Sequence, residues 1–134
     1  MNKQATQKAS EFEIVYEGKE AVIRLSPKAL KEFNKIRNWR NANQKQIHKR
    51  LQILFDRFCT GNALPIEDFR KEPGVKGTVW AFKAPQWRLY GGILTIGGIK
   101  TFVGVRVDPA KKQQKADQAL LNKAADDLSE LAEV

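Results

Sequence analysis

The sequence predicts an α+β fold: a helical hairpin and a C-terminal helix packed on a small twisted antiparallel β-sheet. Three observations predict it. Apolar residues run in short strand-like stretches over 12–25 and again over 78–107. They recur at helical spacing between 27 and 58 and again after residue 108. The resulting order, two strands, two helices, three strands and one helix, is met by helices covering one face of an antiparallel sheet. At 134 residues the chain is expected to form a single domain spanning 1–134, long enough for a real core.

The elements follow in order. Residues 1–10 are polar, lack an apolar core, and are expected as a disordered tail rather than a signal peptide. Phe12, Ile14 and Tyr16 begin a hairpin, residues 17–20 supply its turn, and Val22, Ile23 and Leu25 continue it. Ser26 is an N-cap with Pro27 at the first helical position, and Leu30, Phe33 and Ile36 follow at helical spacing. After a turn over 38–43, Ile47, Leu51, Leu54, Phe55 and Phe58 form one apolar stripe, which Gly61 terminates. Residues 62–77 read as a loop punctuated by Pro65, Pro73, Gly74 and Gly77. Strands are expected over 78–84, 87–96 and 99–107, with Gly97-Gly98 as a two-residue hairpin turn. Asp108 as N-cap and Pro109 as first residue then open a final helix, whose apolar face is Ala116, Leu120, Ala124, Leu128 and Leu131.

Composition narrows the function. No apolar run approaches the ~20 residues that span a membrane, so no membrane partner is expected. The single Cys59 argues against a disulfide scaffold and for a reducing cytoplasm. One Cys and one His disfavour a structural zinc site. The net charge of +9 is unevenly spread. Residues 26–58 hold nine Lys or Arg against two acids, and residues 76–115 hold eight against Asp108 alone. Residues 117–134 are net acidic. Basic blocks of this kind attract polyanions, either nucleic acid or an acidic protein.

The familiar catalytic sets are missing. There is no phosphate loop, no metal-ligand cluster and no supported Ser-His-Asp set; His48 is a lone histidine expected to point away from its helix's apolar stripe. The strand region carries more. Lys83, Arg88 and Arg106 sit in otherwise apolar strands, where a charge needs a solvated face or a partner. Aromatic residues interleave with them, a combination suited to single-stranded RNA. Trp80, Phe82 and Phe102 read as core, whereas Trp87 and Tyr90 read as more open. Lys76, Trp87, Tyr90, Arg106 and Lys115 are accordingly the candidate nucleic-acid contacts. A strict two-residue loop at Gly97-Gly98 puts Leu89 opposite Arg106, and Arg88 and Arg106 on opposite sheet faces. A bulge at Gly91-Gly92 would bring them together. Lys111 and Lys112 then crowd the expected helix start, where free N–H groups and cations form an anion site.

The segments WAFKAPQWRLYGGIL and GGIKTFVGVRVDPAKKQQKADQALLNKAADDL resemble the C-terminal half of RelE/HigB toxins of type II toxin–antitoxin systems, especially the phage-derived HigB-like branch. The aromatic-Arg-apolar segment is matched by Trp87-Arg88-Leu89, and the Lys-Lys-x-Gln-Lys segment by residues 111–115. The likeness covers 62–131, and the helical hairpin in pattern only. It implies a metal-independent endoribonuclease without cofactors. Such an enzyme cleaves mRNA on the ribosome, inhibits translation, and is neutralised by a cognate antitoxin. That antitoxin would be a helix-turn-helix protein with an acidic segment lying across the basic groove or the sheet edge. It implies Lys83, Arg88, Lys111 and Lys112 as the catalytic set, with Arg88 stabilising the pentavalent phosphate and a crowded lysine as base. Some family members carry a tyrosine or histidine early in the last helix or in the tail; residues 117–134 contain neither, and Tyr90 is one candidate substitute whose sheet face the sequence does not give. That departure sustains a second class, a non-catalytic RelE/ParE-like binding protein: a gyrase inhibitor or a module that binds nucleic acid or a host factor.

Overall fold

The structure, a computed structural model, describes residues 8–110 and 117–131. It is α+β, with three helices and one mixed six-stranded sheet among these residues. Strands β1 (Glu13–Glu17) and β2 (Ala21–Leu25) form the expected antiparallel hairpin. The expected polar tail is shorter than ten residues: Ala9 is fully buried, and the Arg24 guanidinium binds the Ser10 and Phe12 carbonyls at 3.0 and 2.8 Å.

Helix α1 (Pro27–Arg37) starts where the Ser26-Pro27 signal put it. Ser26 Oγ accepts from the Ala29 N–H and donates to the Val105 carbonyl, so one hydroxyl both caps the helix and ties it to the sheet. Helix α2 (Ala42–Cys59) is capped by Asn41, and its five stripe residues are all buried. Its C-terminal carbonyl on Cys59 accepts from the Glu20 N–H at 2.9 Å. Gly18 permits that approach, because a Cβ there would lie 2.6 Å from the Cys59 oxygen.

The sheet continues with β3 (Phe69–Lys71), β4 (Trp80–Ala84), β5 (Trp87–Ile96) and β6 (Ile99–Asp108), in the spatial order β1-β2-β6-β5-β4-β3. Strand β3 lies inside the segment expected as loop. Phe69 secures it by stacking on Trp80 at 4.9 Å between centroids, a packing gain that a Pro/Gly-rich context hides. Gly97 and Gly98 both have positive φ, 58° and 79°, as a tight hairpin turn with right-handed twist requires.

Two expectations about the sheet are corrected. It is mixed rather than antiparallel, because β2 pairs parallel with β6. Parallel neighbours need a long crossover, and the helical hairpin begins the connection that supplies it. Helices also cover both faces rather than one. The hairpin packs on Ile23, Leu25, Phe82, Leu89 and Phe102. Helix α3 (Gln118–Ser129) packs through Leu121 and Ala124 on Ala81, Tyr90, Val103 and Val105. The cause is visible in the strands themselves, which are apolar on consecutive positions and therefore need cover on both sides.

The final helix also starts later than expected. Asp117 is its N-cap, with its carboxylate accepting from the Ala119 and Leu120 N–H groups at 2.9 and 3.2 Å. Asp108 instead ends β6 opposite Arg88, and its side chain accepts from the Ala110 N–H in a turn. Pairing with β5 holds Asp108 in extended conformation, which is why Pro109 does not begin the helix.

Candidate nucleic-acid interface

Register brings the cationic strand residues together. Lys83 lies opposite Arg88, and Arg88 opposite Asp108; two pairs along, Ala81 lies opposite Tyr90, and Tyr90 opposite Arg106. Ala81 and Tyr90 belong to the core beneath α3, and strand alternation puts Lys83 and Arg88 on that same face. Arg106 joins them because β6 carries an extra residue. Gly91 pairs with Gly104 while Tyr90 pairs with Arg106, leaving Val105 as the bulge. The expected slip therefore occurs, opposite Tyr90 and Gly91 rather than at Gly91-Gly92. The Gly91–Gly104 pairing is spatially obligatory: a Cβ on Gly91 would sit 2.1 Å from the Val103 oxygen, and one on Gly104 2.6 Å from Leu25 Cδ2.

The two arginines have different surroundings. Pro85 and Gln86 form the β4–β5 corner, with Gln86 at φ 56°. That corner turns the Ala84 and Trp87 carbonyls toward Arg88, whose Nη1 donates to them at 2.9 and 3.0 Å. Arg88 is part-buried and makes no ion pair among the described residues. Arg106 is held by Asp127 of α3 through Nε and Nη2, the latter at 3.1 Å. That hydrogen-bonded partner raises the Arg106 pKa further and neutralises its charge. Nothing local in the sequence marks Asp127 as a partner of Arg106. The only signal for it is the acidic balance of 117–134.

The aromatic expectations are corrected. Trp87 is 1% exposed and points into the hairpin core, on the face opposite Arg88, so no base reaches its ring without unpacking the sheet. Tyr90 is on the Arg88 face but fully buried, and its hydroxyl has no hydrogen-bond partner among the described residues. Burial, then the nearby Asp108 and Glu72 charges, push its pKa well above that of an ordinary phenol. Trp80, expected as core, is half-buried against Phe69. Lys76 is exposed in the β3–β4 loop. Lys111, Lys112 and Lys115 lie outside the described residues, and Asp108 points the chain toward them from the end of β6.

The remaining reactive groups are quiet. Cys59 is buried, which pushes its thiol up to about 12 and removes it as a nucleophile. His48 is half-buried rather than pointing to solvent; its ring lies 5.7 Å from Phe33, and burial lowers its pKa. Among the described residues, no three His, Cys, Asp or Glu side chains are grouped to hold a metal ion. No described helix is long and apolar enough to cross a membrane.

These elements define an α+β protein with a basic sheet face bordered by a C-terminal helix. No family model matches the chain, and neither a curated protein nor a solved structure matches it significantly.

Proposed function

We propose that the protein is a RelE/HigB-like toxin: a cytoplasmic, metal-independent endoribonuclease that cleaves mRNA on the ribosome and is neutralised by a cognate antitoxin. The observation that carries this reading is Arg88. Its guanidinium is fixed by two main-chain carbonyls, stands in register with Lys83, and forms no ion pair among the described residues. Neutral acceptors hold the group without cancelling its charge, so it is oriented before any substrate arrives.

The chemistry follows from that placement. The ribose 2′-oxygen bonds to the adjacent phosphorus and the bond to the 5′-oxygen breaks, leaving a 2′,3′-cyclic phosphate and a 5′-hydroxyl. Charge builds on the phosphate oxygens in the transition state, so a fixed cation stabilises that state more than the ground state. Lys111 and Lys112, which follow β6, are the proposed proton-handling groups. Mutual repulsion among neighbouring cations is what lowers a lysine pKa toward neutrality. Tyr90 is not assigned the acid role, because its hydroxyl is enclosed.

The same enclosure favours a second reading. A cationic face without an accessible histidine or tyrosine suits a non-catalytic RelE/ParE-like protein that binds gyrase, nucleic acid or a host factor. Expression of the chain alone separates the two. The nuclease reading expects growth arrest, new RNA 5′ ends inside codons in a translating extract, and relief of both by Arg88→Ala or Lys112→Ala. Stalled replication without new 5′ ends supports the binding protein instead.

A further inference from the structure

A second basic surface lies on the helical hairpin. Lys31, Asn34, Lys35, Asn38, Arg40 and Gln44 line a cleft of about 460 Å³ at the α1–α2 turn. Three cations and three amides line it, and no carboxylate does. Trp39, between two of these residues in the chain, is 46% exposed and is the one exposed large aromatic among the described residues. The Lys45 ammonium lies 4.8 Å from its ring centroid, so one face of the indole carries a cation.

We propose that this turn is a docking surface for single-stranded RNA. A base stacks on the free face of Trp39, opposite Lys45, while Lys31, Lys35 and Arg40 take the flanking phosphates. Asn38 and the amide group of Gln44 are placed for base edges and ribose hydroxyls; the Gln44 oxygen is already fixed by the Arg40 N–H at 2.8 Å. Lys35 also meets Glu32 at 3.2 Å, an exposed pair of the kind that opens readily to a stronger anion. An acidic peptide would use the cations but leave the indole unsatisfied, which favours a ligand with flat rings.

The turn's location suits the strand face. Ser26 binds the Val105 carbonyl, and Arg37 reaches Glu13, which lies opposite Leu25 at the end of β2. Both ends of α1 therefore stay at the end of the sheet where β2 and β6 finish, the end at which Arg88 pairs with Asp108. The choice of RNA over DNA rests on the nuclease reading; the stacking surface does not.

The test titrates the full chain with a short mixed-sequence oligoribonucleotide, following anisotropy and tryptophan fluorescence. Binding quenches the exposed indole. Trp39→Ala weakens binding about 10- to 100-fold, whereas Trp39→Phe retains most of it with the same unfolding midpoint. Replacing Lys31, Lys35 and Arg40 by Ala lowers the slope of log affinity against log salt by about 2. Wild-type affinity in both the Trp39→Ala and the triple variant overturns the proposal. So does equal binding of the matching DNA, or tighter binding of polyglutamate, which would assign the surface to an acidic protein. Arg88→Ala keeps the two readings apart: whatever it does to cleavage, the loss of affinity on adding Trp39→Ala to it should match the loss seen in the parent. Trp39-dependent binding with no new RNA 5′ ends in a translating extract sinks the nuclease reading alone.

Discussion

Arg88 and Arg106 lie on the same sheet face of adjacent strands, and the fold treats them in opposite ways. Arg106 sits near the end of β6 beneath α3, where Asp127 meets it with two hydrogen bonds. Arg88 sits at the β4–β5 corner, and among the described residues only main-chain carbonyls hold it. Both solve the problem of a cation in an apolar strand. The Arg106 solution consumes the charge to fasten a helix. The Arg88 solution leaves the charge without an ionic partner among the described residues. Basic residues in a strand are thus not equivalent candidates for function: what separates them is whether the oriented partner is ionic or neutral.

This contrast can be broken experimentally. The largest effect is expected at Arg88, where Ala lowers cleavage about 100- to 1000-fold in a translating extract. Denaturant unfolding of that variant should stay within about 1 kcal/mol of the parent. Arg106→Ala should do the reverse, costing about 1.5–3 kcal/mol of stability by removing a charged, part-buried hydrogen-bonding group. Its cleavage, once corrected for the folded fraction, should match the parent. If Arg106→Ala loses cleavage with its fold intact, the division between the arginines is wrong.

A smaller effect comes from Asp127→Asn. It weakens the attachment of α3 by about 1–2 kcal/mol and releases the Arg106 charge. The salt dependence of RNA binding should then steepen by about 0.7 per phosphate gained, read as log affinity against log salt. The smallest effect concerns His48, away from this face. Burial lowers its pKa, so the unfolded chain takes up the proton first. Its contribution to stability is complete above the ordinary histidine value of about 6.5 and is lost as pH falls through its lower folded value. Unfolding free energy measured from pH 8 to 5 should fall less steeply in His48→Gln than in the parent.

Much of this fold was legible locally. Ser26-Pro27 marked a helix start, the Ile47-to-Phe58 stripe marked a buried helix face, and Gly97-Gly98 marked a tight turn. Each signal acts within a few residues of its own position. The parallel pairing of β2 with β6 was not legible, because it depends on where a long connection returns. The two-sided burial was encoded in Trp80-Ala81-Phe82 and Thr101-Phe102-Val103, yet short apolar runs do not say what covers them. The bulge was half legible. Adjacent glycines signalled an irregularity, but the extra residue is Val105 on the opposite strand.

The site divides in the same way. Arg88 stood out as a charge in an apolar run, and its face followed once the register was known. That Arg106 is neutralised was hidden, since Asp127 lies 21 residues away and the expected apolar face through Leu120 and Ala124 does not say which acid of the helix meets the strand. Trp87 and Tyr90 looked open because they flank a charge. Strand alternation instead puts Trp87 on the hairpin face and Tyr90 beneath α3, where both are buried.

The central claim, that Arg88 is the reserved cation of a ribonuclease, is tested most directly by mapping RNA 5′ ends in a translating extract. Three proteins suffice: the parent, Arg88→Ala, and the double variant Arg106→Ala with Asp127→Ala, which removes the ion pair without leaving a lone charge. The expected result is new 5′-hydroxyl ends within codons for the parent and the double variant, and none above background for Arg88→Ala. Absence of new ends with the folded parent, or an unchanged pattern with Arg88→Ala, would contradict it.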